Sequence, residues 1–106
     1  MLPLSHVLEL AIFKVKPQYV AQVPRLRAAL RAALRETLKS FPGLIEYRAY
    51  CPMGDDRVFA DLATWSSLEH AQKVALAFSG GDPRFCEYME AIEELSFMSH
   101  LAPEAN

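Results

Sequence analysis

The segment Val58–Trp65, which reads VFADLATW, combines a strand-forming composition with one carboxylate near its centre. Its β-branched and aromatic residues are typical of a β-strand, and side chains alternate between the two faces of a strand. Asp61 therefore shares a face with Phe59. A buried carboxylate without a partner is costly or takes up a proton. We therefore expect a cationic partner for Asp61, either Arg48 on the neighbouring strand or an equivalent group across a subunit interface.

The residues on either side of this segment predict further strands and helices. Pro52–Arg57 supplies the glycine and aspartates of a tight turn, so that the strand before it forms a hairpin with Val58–Trp65. Apolar residues three and four positions apart predict a first helix that ends before Pro42–Gly43, and Ser66 or Ser67 is suited to cap a second one. The predicted strands are His6–Lys16, Leu44–Cys51, Val58–Trp65 and Leu95–Leu101, and the predicted helices are Val23–Ser40 and a second helical region interrupted at Ser79–Pro83. The order βαββαβ predicts an α+β, ferredoxin-like fold, with a four-stranded antiparallel sheet and two helices on one face.

Alternation divides the strand residues into two sets that differ in polarity. The first set is almost purely apolar and comprises Leu8, Leu10, Ile12, Ile45, Tyr47, Ala49, Val58, Ala60, Leu62, Leu95, Phe97 and Leu101. We expect this set to lie under the helices. The second set mixes charged with apolar side chains and comprises Val7, Glu9, Ala11, Phe13, Val15, Glu46, Arg48, Tyr50, Phe59, Asp61, Ala63, Trp65, Ser96, Met98 and His100. A monomer would expose this second face as a large apolar patch, so we expect it to pack against a second copy in a homodimer.

The composition restricts the classes of protein to which the chain can belong. Its 106 residues suit one domain, 1–106, with a core over residues 6–101. A formal net charge of −2 and a pI near 5.9 give no electrostatic reason to bind nucleic acid or an anionic membrane. No apolar run approaches the roughly 20 residues that cross a bilayer, and the first residues lack a signal-peptide pattern. We therefore expect a cytoplasmic protein.

Three short motifs resemble the antibiotic biosynthesis monooxygenase-like family. Phe41–Tyr47 (FPGLIEY) resembles the P-G-x-x-x-Y pattern at the start of that family's second strand. Ala63–Trp65, followed by SSLE, resembles its E-x-W strand end before a helix, and Asp82–Phe85 (DPRF) resembles its mid-helix break. The resemblance spans the chain from His6 to Leu101. It implies a dimeric α/β barrel, a superfamily that includes cofactor-independent monooxygenases, haem-degrading enzymes, isomerases and stress-response proteins.

Two departures from the family pattern bear on activity. Ala63 stands where the pattern has glutamate two residues before the tryptophan, and Asp61 is the nearest acid on the same face. The resemblance associates haem degradation with an asparagine in the first strand and with a tryptophan and a histidine on the second helix. The first predicted strand has no asparagine, and Phe85 and Tyr88 occupy the helical region where that histidine is expected. We therefore do not expect haem degradation.

The polar residues of the mixed face are candidates for a small-molecule site. They are Asp61 and His100 as proton acceptors, and Trp65, Arg48, Glu9 and Tyr50 as substrate-binding residues. Proton removal from a phenol or enol of an aromatic or polyketide-like compound would make an electron-rich carbanion that reacts with oxygen directly. This is the chemistry of a cofactor-independent monooxygenase. Two alternatives remain open: a charge network that sets the register of a dimer, and a non-enzymatic ligand-binding or stress-response protein.

The histidines and the basic residues of the first helix have simpler explanations than a metal or nucleic-acid site. Strand parity places His6 and His100 on opposite faces, and His70 lies on the second helix, so that we expect no metal site and no cofactor. The basic residues Arg27, Arg31, Arg35 and Lys39 recur at i, i+4 spacing. We expect them to form a solvated face that pairs with acidic residues of the second helix.

Overall fold

The chain forms four strands and three α-helices within residues 6–17, 24–54 and 57–104, which a computed structural model describes. The elements are β1 Val7–Val15, α1 Pro24–Lys39, β2 Leu44–Tyr50, β3 Val58–Trp65, α2 Leu68–Ser79, α3 Cys86–Ala91 and β4 Ile92–Leu101, with a 3-10 turn at Pro83–Phe85 before α3. Neighbouring strands are antiparallel, in the spatial order β2–β3–β1–β4. This confirms the predicted α+β, ferredoxin-like fold.

The second helical region is divided at the predicted interruption. Ser67 caps α2 by accepting a hydrogen bond from the backbone N–H of His70, and Asp82 caps the 3-10 turn by accepting one from the backbone N–H of Arg84. β4 begins at Ile92, earlier than predicted, because its pairing with β1 continues to that residue. The predicted helix start at Val23 lies outside the described residues.

Gly43 turns the chain from α1 into β2. Its φ of 94° lies in the region that favours glycine. A Cβ atom at this position would also overlap the ring of His70 on α2. The P-G pair of the motif therefore allows the start of β2 to approach the first turn of α2.

The helices cover the sheet face that carries Asp61, so the predicted assignment of the two faces is wrong. The buried strand residues on this face are Val7, Glu9, Ala11, Phe13, Val15, Tyr47, Phe59, Asp61, Ala63 and Trp65. The apolar set that was expected under the helices lies mostly on the other face, where Phe97 is 48% exposed. Both sets are apolar enough to form a core, but the partners of the carboxylate lie on the helices: Arg31 on α1 and Tyr88 on α3.

This reversal changes the surface that is open to a partner. The face through which a homodimer was predicted is filled by the helices of the same chain. The uncovered face instead carries alternate residues of β1 and β3, such as Leu8, Leu10 and Leu62, beside Phe97 and Leu101 of β4. The homodimer itself stays a prediction, and it now concerns the uncovered face.

Candidate functional site

A cavity lies between the covered face of the sheet and the helices. Its lining residues are Glu9, Ala11, Phe13, Leu34, Leu38, Tyr47, Asp61, Ala63, Val74, Ala75, Phe78, Phe85, Tyr88 and Met98. About 50 Å³ is open to the centre of a water molecule, and all the empty space between these side chains, with the mouth included, is about 450 Å³. The first volume holds a few water molecules and is below the roughly 300–1,000 Å³ of typical small-molecule pockets, whereas the second also counts open solvent at the mouth. A bound ring would therefore need lining side chains such as Phe78, which is only half-buried, to move.

Asp61 forms the polar end of this cavity together with two tyrosines and an arginine. Its Oδ1 atom accepts hydrogen bonds from Nη2 of Arg31 and from the hydroxyl of Tyr47, each at 2.7 Å. Its Oδ2 atom accepts a short hydrogen bond from the hydroxyl of Tyr88. All four residues are buried. Since a carboxylate has about four acceptor positions, three donors leave Asp61 with little free capacity.

Arg31 is held in place by three further contacts. Its guanidinium donates to the backbone carbonyl oxygens of Tyr50 at 3.0 Å and of Ala60 at 3.1 Å. It also stacks over the ring of Phe59, 4.3 Å from the ring centroid, which is a favourable cation–π geometry. The guanidinium therefore joins α1 to β2 and β3 directly above the buried carboxylate.

The electrostatics of this group keep its members in one protonation state. Burial raises the pKa of the Tyr47 hydroxyl above its ordinary value, and the charge of Asp61 raises it further. The same two causes raise the pKa of Tyr88. Burial by itself lowers the pKa of Arg31, but the charge of Asp61 acts in the opposite direction, and the pKa is raised overall. Both tyrosines therefore stay protonated as donors to Asp61, and Arg31 stays charged.

Glu9 and His100 form a second polar pair beside the cavity. They lie opposite each other on β1 and β4, and Nε2 of His100 is 2.8 Å from Oε2 of Glu9. Burial raises the pKa of Glu9, while the hydrogen bond and charge of His100 act in the opposite direction. Glu9 lines the cavity, whereas the side chain of His100 is 22% exposed. The pair therefore extends from the cavity towards solvent.

Trp65 is fully buried. It is not one of the described residues that line the cavity. Its indole is close enough to lower the pKa of Glu9. The indole nitrogen nevertheless makes no hydrogen bond of ordinary geometry within the described part of the chain. The aromatic wall that was predicted for Trp65 is provided instead by residues such as Phe13 and Phe78.

Arg48 and Tyr50 do not join the site, so the predicted pairing of Asp61 with Arg48 is wrong. The register of β2 and β3 places Ala49 opposite Asp61, and the side chains of Arg48 and Tyr50 therefore lie on the uncovered face. Arg48 is exposed there in an ion pair with Glu46. Tyr50 contributes to the site only through its backbone carbonyl, which accepts from the guanidinium on α1.

The basic line on α1 is likewise divided between surface and interior. Arg31 is buried and pairs with Asp61, which contradicts its predicted place on a solvated face. Arg35 is exposed and lies over the ring of Tyr47, and Lys39 pairs with Glu36 of the same helix. Arg27 belongs to the same line, but its side chain is not among those that the structure describes.

Three important residues of the site, Arg31, Tyr47 and Tyr88, were not predicted as functional. Arg31 adjoins the buried Leu30 and precedes Leu34 by one turn, so its place at the edge of the apolar stripe was the available signal. Tyr47 ends the P-G-x-x-x-Y motif. Tyr88 offered no comparable local signal.

Neither a metal-binding cluster nor a membrane-spanning helix is present among the described residues. No group of three or more His, Cys, Asp and Glu side chains in residues 6–17, 24–54 and 57–104 is arranged to hold a metal ion. No helix in these ranges is long and apolar enough to cross a membrane.

Known structures with this arrangement of strands and helices come from several bacteria. A Chloroflexus aurantiacus protein, described provisionally as an antibiotic biosynthesis monooxygenase, is 20% identical and matches with a TM-score of 0.68 over 96% of each chain. A Bordetella bronchiseptica protein with the same provisional description is 12% identical, with a TM-score of 0.69 over 95% of this chain and 99% of that one. The chain has the fold of the antibiotic biosynthesis monooxygenase-like proteins.

A third match is SnoaB from Streptomyces nogalater, a cofactor-independent oxygenase. It is 19% identical and matches with a TM-score of 0.62 over 96% of this chain and 94% of its own. No protein-family model matches the sequence, and no curated protein sequence matches it either. The resemblance noted in the sequence is thus confirmed at the level of the fold.

Proposed function

We propose that this protein binds a small hydroxylated aromatic or polyketide-like compound in the cavity and oxidises it as a cofactor-independent monooxygenase. The observation that carries the proposal is an aromatic cavity whose described polar groups are mainly acceptors. Tyr47 and Tyr88 already donate to Asp61, so their oxygens are left to accept. A ligand that brings hydroxyl donors would satisfy these acceptors. The likeness of the fold to SnoaB supports the same chemistry.

Glu9 is the group that we propose as the proton acceptor of this reaction. Protonation of Asp61 would remove the charge that compensates the buried Arg31, and the new O–H would compete for an oxygen that already accepts from a tyrosine or the arginine. Glu9 instead lines the same cavity with a raised pKa, which suits a general base. We therefore assign to Asp61 the positioning of the tyrosines, and to Glu9, backed by His100, the removal of the ligand's proton.

Oxygen consumption and binding together test this function. We expect the protein to take up oxygen with anthrone or hydroquinone, and Glu9→Gln to reduce the rate by about 10² to 10⁴. Glu36→Gln, a change at an exposed glutamate on α1, serves as the control and should leave the rate unaltered. Binding of 1,8-dihydroxyanthraquinone, a non-oxidisable analogue, can be followed by the fluorescence of Trp65, the single tryptophan of the chain.

The alternative is a non-enzymatic ligand-binding or stress-response protein of the same fold. It is favoured by the closed hydrogen-bond network of Asp61, in which the arginine and both tyrosines already find their partners within the chain. Binding of the anthraquinone without any oxygen uptake from the substrates would support this alternative and contradict the monooxygenase. The predicted cytoplasmic location and the lack of a nucleic-acid partner stay predictions.

We further propose that two copies pack through the uncovered sheet face. Apolar side chains such as Leu8, Leu10 and Phe97 would otherwise remain in contact with water. Light scattering should give about twice the chain mass of 11.9 kDa. Phe97→Asp should dissociate the dimer by placing a charge in the interface, whereas Met53→Asp, at a fully exposed turn residue, should not. A monomeric wild-type protein would contradict this arrangement.

A further inference from the structure

The polar groups of the cavity differ in whether they can pass a proton to solvent. Tyr47 and Tyr88 donate their hydroxyl hydrogens to Asp61, and Asp61 is paired with Arg31. An arginine side chain does not lose its proton in a protein. Among the described residues, the hydrogen bonds that join the two tyrosines to Asp61 therefore end at Arg31, which cannot pass a proton to water.

Glu9, unlike Asp61, has a neighbour that can both take up and release a proton. It lines the cavity, and its Oε2 atom lies 2.8 Å from Nε2 of His100. His100 belongs to β4, a strand at the edge of the sheet, and its side chain is more exposed than that of Glu9, 22% against 11%. One hydrogen bond thus separates a cavity carboxylate from an imidazole that reaches water. Imidazole is the side chain best suited to exchange protons with water in the physiological range.

We propose that Glu9 and His100 form a proton-transfer pair that carries the proton of a bound hydroxyl compound from the cavity to solvent. This inference rests on the proposed function. The ligand hydroxyl first transfers its proton to Glu9, which leaves an anionic ligand and a neutral carboxylic acid. In the resting pair Nε2–H of neutral His100 donates to the Glu9 carboxylate. Once Glu9 is a carboxylic acid, the ring exchanges with water to the Nδ1–H tautomer, so that Nε2 can accept the proton from Glu9. The imidazolium then releases its Nδ1 proton to water, which leaves Nε2–H donating to the carboxylate again. The carboxylate and the neutral imidazole are restored, and the net change is the ionisation of the ligand.

The other groups around Glu9 are consistent with this direction of transfer. Burial raises the pKa of Glu9 and the charge of Asp61 adds to the effect, while His100 and Trp65 lower it. The residues that α2 contributes to the cavity lining are apolar: Val74, Ala75 and Phe78. Glu9 therefore takes up a proton more readily than an exposed glutamate, and the titratable side chain placed to receive that proton is His100.

The pair can be tested first without a ligand, by NMR titration of the Glu9 carboxyl and the His100 ring. In the wild-type protein we expect each group to respond where the other changes its charge, because the two lie within hydrogen-bond distance. His100→Gln still offers a donor to Glu9 but cannot take up a proton, so it should shift the Glu9 titration without unfolding the protein. His70→Gln, at a histidine on α2, is the control and should leave that titration in place. Independent titration of the two wild-type groups would overturn the proposal.

The second test measures the transfer with 4-nitrophenol, whose phenolate absorbs visible light. After a rapid jump in pH, His100→Gln should slow the ionisation of the bound probe by at least about tenfold while changing its Kd by less than about twofold. Added imidazole should restore part of the rate. Equal rates in the wild type and His100→Gln would refute the pair. Failure of 4-nitrophenol to bind the wild type would instead count against the proposed ligand class, whereas a mutual response of the two groups in the first test would still support the pair.

Discussion

Replacement of Asp61 by asparagine removes the negative charge from the centre of the site while keeping the shape of the side chain. The amide oxygen can still accept from Arg31 and Tyr47, which both donate to Oδ1 of the aspartate. The hydroxyl of Tyr88, which donates to Oδ2, can turn to accept from the new amide group. The hydrogen bonds can therefore be kept, and the main loss is the charge that compensates Arg31.

A buried charge that loses its partner destabilises a protein by about 3–5 kcal/mol. Both members of this pair are buried, with side chains 11% and 9% exposed, so we expect Asp61→Asn to fall in that range. This is a large share of the roughly 5–15 kcal/mol that holds a typical domain together. In urea, a loss of that size would lower the unfolding midpoint by about 2 M.

Equilibrium unfolding in urea measures this loss, and a second variant isolates its cause. Arg31→Met combined with Asp61→Asn removes both charges of the ion pair, so the double variant should lose clearly less than the sum of the two single changes. Glu36→Gln, which breaks an exposed ion pair with Lys39, is the control and should stay close to the wild type. A loss below about 1 kcal/mol for Asp61→Asn, or strict additivity in the double variant, would refute the role assigned to the pair.

Gly43→Ala should destabilise the protein more than Gly54→Ala in thermal unfolding, because both glycines have positive φ but only a Cβ at position 43 would overlap the ring of His70; equal losses would contradict that close approach. Tyr88→Phe should cost about 1–3 kcal/mol in chemical denaturation by removing a buried donor to the carboxylate, and an unchanged midpoint would show that this hydroxyl adds no stability. The pKa of Glu9 is raised in the folded state, so its contribution to stability is complete below the ordinary value of 4.5 and is lost as the pH rises through the folded value. Glu9→Gln should therefore gain stability relative to the wild type as the pH rises, and a constant difference across the pH series would disprove the raised pKa.

The sequence was sufficient to predict the order of the elements because the signals for them are local. Alternation in Val58–Trp65, the turn at Pro42–Gly43 and the capping role of Ser67 all depend on residues close together in the chain, and the structure has each of them. The position of Asp61 on a face with Trp65 also follows from alternation alone. These features together were enough to predict the ferredoxin-like order.

Which face the helices cover was decided only by the tertiary structure. Both alternating sets of strand residues are apolar enough to form a core, so hydrophobicity does not distinguish them. The difference lies in the polar partners: Asp61 is satisfied by Arg31, 30 positions away, and by Tyr88, 27 positions away. Glu9 and His100 meet across 91 positions only because β1 and β4 are neighbours in the sheet. A buried charge is tolerated where such partners converge. Convergence over these separations depends on how the strands pair and on how the helices pack on the sheet, which no local pattern specifies.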